Sequence, residues 1–226
     1  MKKTLAICLT VILLFSGCLT SCGGNQNEVE AYKQLNTAYY NVSRVAATIE
    51  GGWAFAISNK SYSDTELRNS YIKDFAKAIG FSQTVVINAY RELSCSSTST
   101  DYALKYYADS TKGTYGYTDY GKALKEFQQD VQSLDTLFDL IYQVLEDSGV
   151  INLTKTNLNT AYELVKEIST KSKHYDDFSE YYAELLTCYN NCMYLSCSYS
   201  EFSAMVQDCR NNVSKLRAKL SVAYEN

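Results

Sequence analysis

The sequence predicts an all-α protein, an elongated antiparallel bundle of about five long helices. Three observations carry this expectation. Proline is absent from all 226 positions and glycine occurs only ten times, whereas a many-stranded β domain needs far more turn punctuation. Apolar residues recur at alternating steps of three and four, which keep one stripe on one helix face. Most segments between these stripes are short, as antiparallel neighbours require.

The first stripe runs Tyr32, Leu35, Tyr39, Val42, Ala46, Ile49, Trp53, Ala56 and predicts a helix from about Glu28 to Asn59. Trp53 lies on it and reads as core. Gly51 and Gly52 fall inside this helix and each costs roughly 1 kcal/mol relative to alanine. They either admit a close neighbour or mark a kink. Ser63, followed three residues later by Glu66, makes a capping box for a second helix. Its stripe is Leu67, Tyr71, Phe75, Ile79, Val86, Ala89 and Leu93, with Ser82 in phase and Gly80 the weak point. Residues 94–100 then hold four serines, two threonines and no aliphatic side chain, which ends the pattern.

A short helix over Asp101–Ala108 and an irregular connection over Ser110–Gly121 come next. The third long helix starts near Thr118 with Tyr120, Leu124, Phe127, Val131, Leu134, Phe138, Ile141 and Leu145 inward, and Gly149 suits its C-terminal cap. Beyond it, Leu158, Ala161, Val165 and Ile168 are in phase with Tyr175, Tyr182, Leu186, Tyr189 and Met193. This favours one long helix, Thr154 to Ser196, over two. Ser200 is the expected cap of the last helix, which turns Phe202, Val206, Cys209, Val213, Leu216, Leu220 and Ala223 inward. With turns alternating between ends, those at 61–64 and 148–152 fall far from the N-terminus. The 96–118 connection and the Cys197–Ser200 turn then fall near it.

Ahead of the bundle, Lys2 and Lys3 precede an apolar run, Leu5 to Phe15, and a small-residue exit. That is the layout of a secretory signal. The run is too short and interrupted for a membrane span, which needs ~20 apolar residues. Its exit, Leu19-Thr20-Ser21-Cys22, resembles the bacterial lipoprotein signal: an aliphatic residue, two small residues, then cysteine. The resemblance implies that Cys22 receives a diacylglyceryl thioether and becomes the first residue of the mature chain. Cys18 fits less well, because Phe15 stands in the aliphatic place. The expected organisation is a signal peptide (1–21), a lipidated tether (22–27) and one helical-bundle domain (28–226). The expected location is the outer face of a bacterial membrane, in the cell envelope.

Removing residues 1–21, which hold Lys2, Lys3 and no acid, takes the formal charge from −4 to −6. An acidic chain with scattered lysines has no electrostatic footprint for nucleic acid. It also lacks a basic face for anionic lipid, so membrane attachment rests on the lipid at Cys22.

The chemistry-bearing residues are few. His174 is the only histidine, so Glu-x-x-His pairs for a di-metal bundle cannot be assembled. No strand-turn-helix elbow presents a serine nucleophile. His174 reads as a solvated surface residue, and Asp176-Asp177 as ordinary surface charge. No phosphate-cradling glycine loop, haem motif or calcium loop occurs, and no cofactor is implied.

Four cysteines, Cys188, Cys192, Cys197 and Cys209, fall within 22 residues, in a spacing unlike that of zinc knuckles. Buried apolar thiols and disulfides are the competing readings. A hairpin centred near Tyr199 puts position 189 opposite Cys209, so Cys188 and Cys209 are the candidate disulfide.

Six of the 21 tyrosines lie in one stretch: Tyr102, Tyr106, Tyr107, Tyr115, Tyr117 and Tyr120. Rigid amphipathic rings among glycine, serine and threonine are what recognition loops use. The plainer reading, that they cover the open end of the bundle, takes precedence. The functional expectation is a non-enzymatic envelope lipoprotein working by protein contact or as a helical spacer, with an envelope or surface protein as partner. The alternative is a ligand-binding or sensing bundle with a tyrosine-lined site.

Overall fold

The computed structural model describes residues 23–58, 62–63, 70–93 and 117–224, with side chains from residues 26 and 124 in the helices that begin at 23 and 117. Among the described residues there are eight helices and no strand. They are α1 (Gly23–Ile57), α2 (Ile72–Ala78), α3 (Gln83–Leu93), α4 (Tyr117–Gln132), α5 (Leu134–Asp147), α6 (Val150–Lys166), α7 (Tyr175–Met193) and α8 (Tyr199–Tyr224). The all-α expectation holds, with more breaks than the apolar stripes indicate.

α1 is the axis of the molecule. Its 35 residues span roughly 52 Å at 1.5 Å each, and it packs against α2, α4, α5, α6, α7 and α8. It begins at Gly23. Ala31, Tyr32 and Leu35 are buried. They fix the first inner turns, and extending a helix backward from a fixed turn costs far less than nucleating one.

Gly51 and Gly52 serve close approach and not a kink, since the helix runs through them unbroken. A Cβ on Gly51 would collide with the Ala78 carbonyl oxygen, and one on Gly52 would lie 2.5 Å from Ile141 Cδ1.

The second expected helix is two. Gly80 takes φ +75°. The Phe81 N–H donates to the Ala76 carbonyl and the Gly80 N–H to the Lys77 carbonyl, the paired bonds of a Schellman end. Ser82, expected as an interior stripe position, starts α3 instead, its hydroxyl accepting the Val85 N–H at 3.4 Å.

The third helix also divides, at Ser133, whose ψ of 120° is extended. The phase slips there. Leu134 is 44% exposed, and the inward face of α5 becomes Leu137, Leu140, Ile141, Val144 and Leu145.

Gly149, with φ +73°, ends α5 but does not reverse the chain. Its N–H donates to the Glu146 carbonyl while its own carbonyl accepts the Leu153 N–H, so α6 starts at the next residue. α5 and α6 together run antiparallel to α1. Gly52 faces Ile141, and Gln34 Nε2 donates to Asn157 Oδ1 at 3.1 Å.

The reversal comes at 167–174 instead, which replaces the expected single helix 154–196 with the hairpin α6–α7. The Ser169 hydroxyl accepts the Lys171 N–H and the Ser172 hydroxyl accepts the His174 N–H, local bonds that compete with the helical ladder. The stripes on either side are in phase because two different helices face one core.

Because α5 and α6 run antiparallel to α1, the Cys197–Ser200 turn lies at the end remote from Gly23, where Tyr199 packs on Trp53 with ring centroids 5.7 Å apart. Ser198, not Ser200, caps α8. Its hydroxyl and N–H both donate to Glu201 Oε2 at 2.7 Å, and the hydroxyl accepts the Glu201 N–H, a reciprocal capping box. The expected Ser63–Glu66 box, the short helix 101–108 and much of the connection 96–118 lie outside the described residues.

Two apolar clusters fill the interior. Near Gly23, α1, α6, α7 and α8 enclose Tyr32, Leu35, Phe178, Tyr181, Leu185, Val213 and Leu220. At the far end, α2 to α5 add a layer over the second half of α1. Trp53, 4% exposed, meets Phe138 of α5 edge-on at 4.8 Å and Phe202 of α8 at 5.9 Å. Among the described residues no helix is long and apolar enough to cross a membrane.

Candidate functional site

The polar groups that the fold gathers most closely lie at the end where α1 starts. Ser172 holds the backbone of His174 just ahead of α7, and Asp177 follows one helical turn later. His174 Nδ1 sits 3.1 Å from Asp177 Oδ2, and Lys219 of α8 donates to the other carboxylate oxygen. Asp177 is only 5% exposed. Burial alone would raise its pKa, but the hydrogen bonds from Lys219 and His174 outweigh this and hold the carboxyl below its ordinary range. The same contact raises the pKa of Lys219.

The His174 ring packs edge-on against Tyr224 at 5.6 Å. The Tyr224 hydroxyl donates to Glu28 Oε2 at 2.9 Å. Burial first, and this acceptor second, push the Tyr224 phenol well above its usual pKa.

His174 and Asp177 are therefore not the surface residues expected from sequence. The His174 side chain is only 13% exposed, and its Nε2 is buried without a hydrogen-bond partner. A His-x-x-Asp spacing at a helix start was the available signal. A carboxylate-oriented imidazole is half of a nucleophilic device, yet here the second nitrogen is sealed inside and hydrogen-bonds no hydroxyl or thiol. What the cluster can do is join Glu28 of α1, Asp177 of α7 and Lys219 and Tyr224 of α8 at one end of the bundle.

Further along the α7–α8 seam the fold brings cysteines together. Cys188 and Cys209 lie buried in the same apolar cluster. Cys188, Cys192 and Cys209 are buried and Cys197 is half-buried, all as free thiols. The neighbouring Cys192 thiol, then burial, push the Cys188 thiol up to about 12. Cys209 is raised too, chiefly by the neighbouring Cys188 thiol and then by burial. Among the described residues no group of three or more histidine, cysteine or acidic side chains is arranged to hold a metal ion.

At the α2–α3 corner an open groove of about 530 Å³ is lined by Lys73, Ala76, Lys77, Gly80, Phe81 and Gln83. It contains no tyrosine. Of the residues expected to carry function, Cys22, Tyr102, Tyr106, Tyr107 and Tyr115 lie outside the described residues. Tyr117 and Tyr120 fall within α4, but their side chains lie outside the description.

Comparison with known protein families, with curated proteins and with solved structures finds no match to this chain.

Proposed function

We propose that this protein is a lipid-anchored, non-enzymatic helical module of the cell envelope that presents a protein-contact surface away from its membrane. The observation that carries the reading is the position of α1. It starts at the residue after Cys22 and runs as one helix of 35 residues through the centre of the bundle. An anchor at Cys22 would thus be joined to a stiff rod and not to a swivelling linker. The rod would hold the α2–α3 corner, beside Arg44, Thr48 and Gly51, and the α7–α8 turn, beside Trp53, roughly 33–46 Å from the lipid.

The cluster at the anchored end supports the same reading. Glu28, Asp177, Lys219 and Tyr224 tie the start of α1 to α7 and the end of α8, so tension at the anchor would load three helices together. The interior is filled by apolar side chains in two abutting clusters, as a load-bearing spacer requires. Mass spectrometry of the mature N-terminus and membrane fractionation test the anchor. A diacylated Cys22 is expected, and Cys22→Ala should leave an uncleaved or soluble chain. A lipid found on Cys18 would reject the assignment.

A further inference from the structure

The α7–α8 seam has a register that can be read from side-chain bonds alone. Lys219 donates to Asp177, and Asn212 Nδ2 donates to Glu184 Oε1 at 3.3 Å. Seven residues forward on α7 correspond to seven residues back on α8, as antiparallel neighbours require. Four residues beyond Glu184 lies Cys188, and the same step from Asn212 reaches position 208, next to Cys209. Cys188 and Cys209 are moreover buried in the same apolar cluster.

From this geometry we propose that Cys188 and Cys209 form a disulfide that staples α7 to α8, and that Cys192 stays reduced. The selectivity follows from helix geometry. Residues four apart on one helix have Cβ atoms about 5–6 Å apart, whereas a disulfide needs about 3.5–4.5 Å. Cys188 and Cys192 therefore cannot form an unstrained covalent bond. Cys209 approaches from the opposite helix, where no such spacing is imposed.

The oxidant is a small disulfide or a disulfide-exchange protein of an exported compartment. The Cys209 thiolate attacks one sulfur of the oxidant, expelling a thiolate and forming a mixed disulfide. The Cys188 thiolate then attacks the Cys209 sulfur and expels the second. The protein loses two protons and two electrons, and the oxidant is reduced to two thiols. Both cysteines are 7% exposed and burial raises both thiol pKa values, so in the closed bundle they react slowly. The bond accordingly forms as the seam closes and afterwards resists reductant.

The test takes the full chain, reduced and unfolded in urea, through refolding in a mixture of oxidised and reduced glutathione. Remaining thiols are alkylated and peptides mapped by mass spectrometry. The expected product carries one Cys188–Cys209 bond with Cys192 and Cys197 alkylated. Its thermal midpoint is higher by roughly 6–12 °C than that of the reduced chain, from closure of a loop of about 20 residues in a protein of this size. Cys192→Ser should leave the bond in place, while Cys188→Ser and Cys209→Ser should each abolish it. A chain that stays fully reduced overturns the proposal, as does a dominant bond to Cys95, Cys192 or Cys197. An oxidised chain no more heat-stable than the reduced one also overturns it.

Discussion

Gly51 and Gly52 are adjacent in sequence, and alanine at either would gain about 1 kcal/mol of helix propensity. The packing sets them apart. A Cβ at position 52 would stand 2.5 Å from Ile141 Cδ1 and 3.0 Å from Ile79 Cγ2, so its nearest obstacle is the tip of a flexible side chain. At position 51 the obstacle is the backbone carbonyl of Ala78, held by the Schellman turn that ends α2.

Overpacking costs about 1–3 kcal/mol. Set against the propensity gain, Gly52→Ala should destabilise by about 0–2 kcal/mol. Gly51→Ala should cost more, because α2 itself must move. The double variant Gly52→Ala with Ile141→Val supplies the control, since valine lacks the atom at 2.5 Å. Ile141→Val alone should cost about 0.5–1.5 kcal/mol. The pair should be more stable than the sum of single losses predicts, by about 1–2 kcal/mol of coupling. Urea unfolding followed by tryptophan fluorescence, with midpoint and slope fitted separately, reads the parent and all four variants. If both glycine variants gain about 1 kcal/mol, as for an exposed helix, the close approach of α2 and α5 to α1 is refuted.

The remaining predictions follow from single contacts. Asp177 has a lowered carboxyl pKa in the folded chain, so its stabilisation is present above the unfolded value, about 3.9, and is lost as pH falls through the folded one. Acid unfolding should therefore show a smaller loss of stability below about pH 4 in Asp177→Asn than in the parent. At pH 7 that variant should be less stable by about 1–3 kcal/mol, and equal slopes in acid would remove the cluster from the account. Trp53 is the single tryptophan and is buried among Phe138, Tyr199 and Phe202. Its emission should be blue-shifted in the native chain and move red on unfolding, and Trp53→Ala should cost about 3–5 kcal/mol. Replacing Tyr106, Tyr107, Tyr115 and Tyr117 by serine should abolish binding of an envelope partner in pull-down while sparing the thermal midpoint. A collapse in stability would make those rings core.

The sequence by itself determined the helical class and most of the inward face. Steps of three and four suffice to place Leu35, Val42, Ile49, Phe75, Phe127, Val213 and Leu220, because burying an apolar stripe is a local property of one helix. The antiparallel pairing of α7 and α8 was also legible, since a short turn fixes the register of a hairpin. The breaks were not. Gly80 and the 167–174 turn interrupt patterns that stay in phase, and phase cannot tell one long helix from two that face the same core.

Only the tertiary structure decided the path of the chain. It turned Gly149 from a reversal into a joint within a rod and moved the Cys197–Ser200 turn to the other end. His174 and Asp177 shared this uncertainty. A polar residue at the start of a helix is exposed unless another element covers it, and here the C-terminal turns of α8 do so with Lys219 and Tyr224. Those residues lie more than 40 positions away in sequence. Periodicity reports which face of a helix seeks burial; it holds no information on which distant charge will be waiting there.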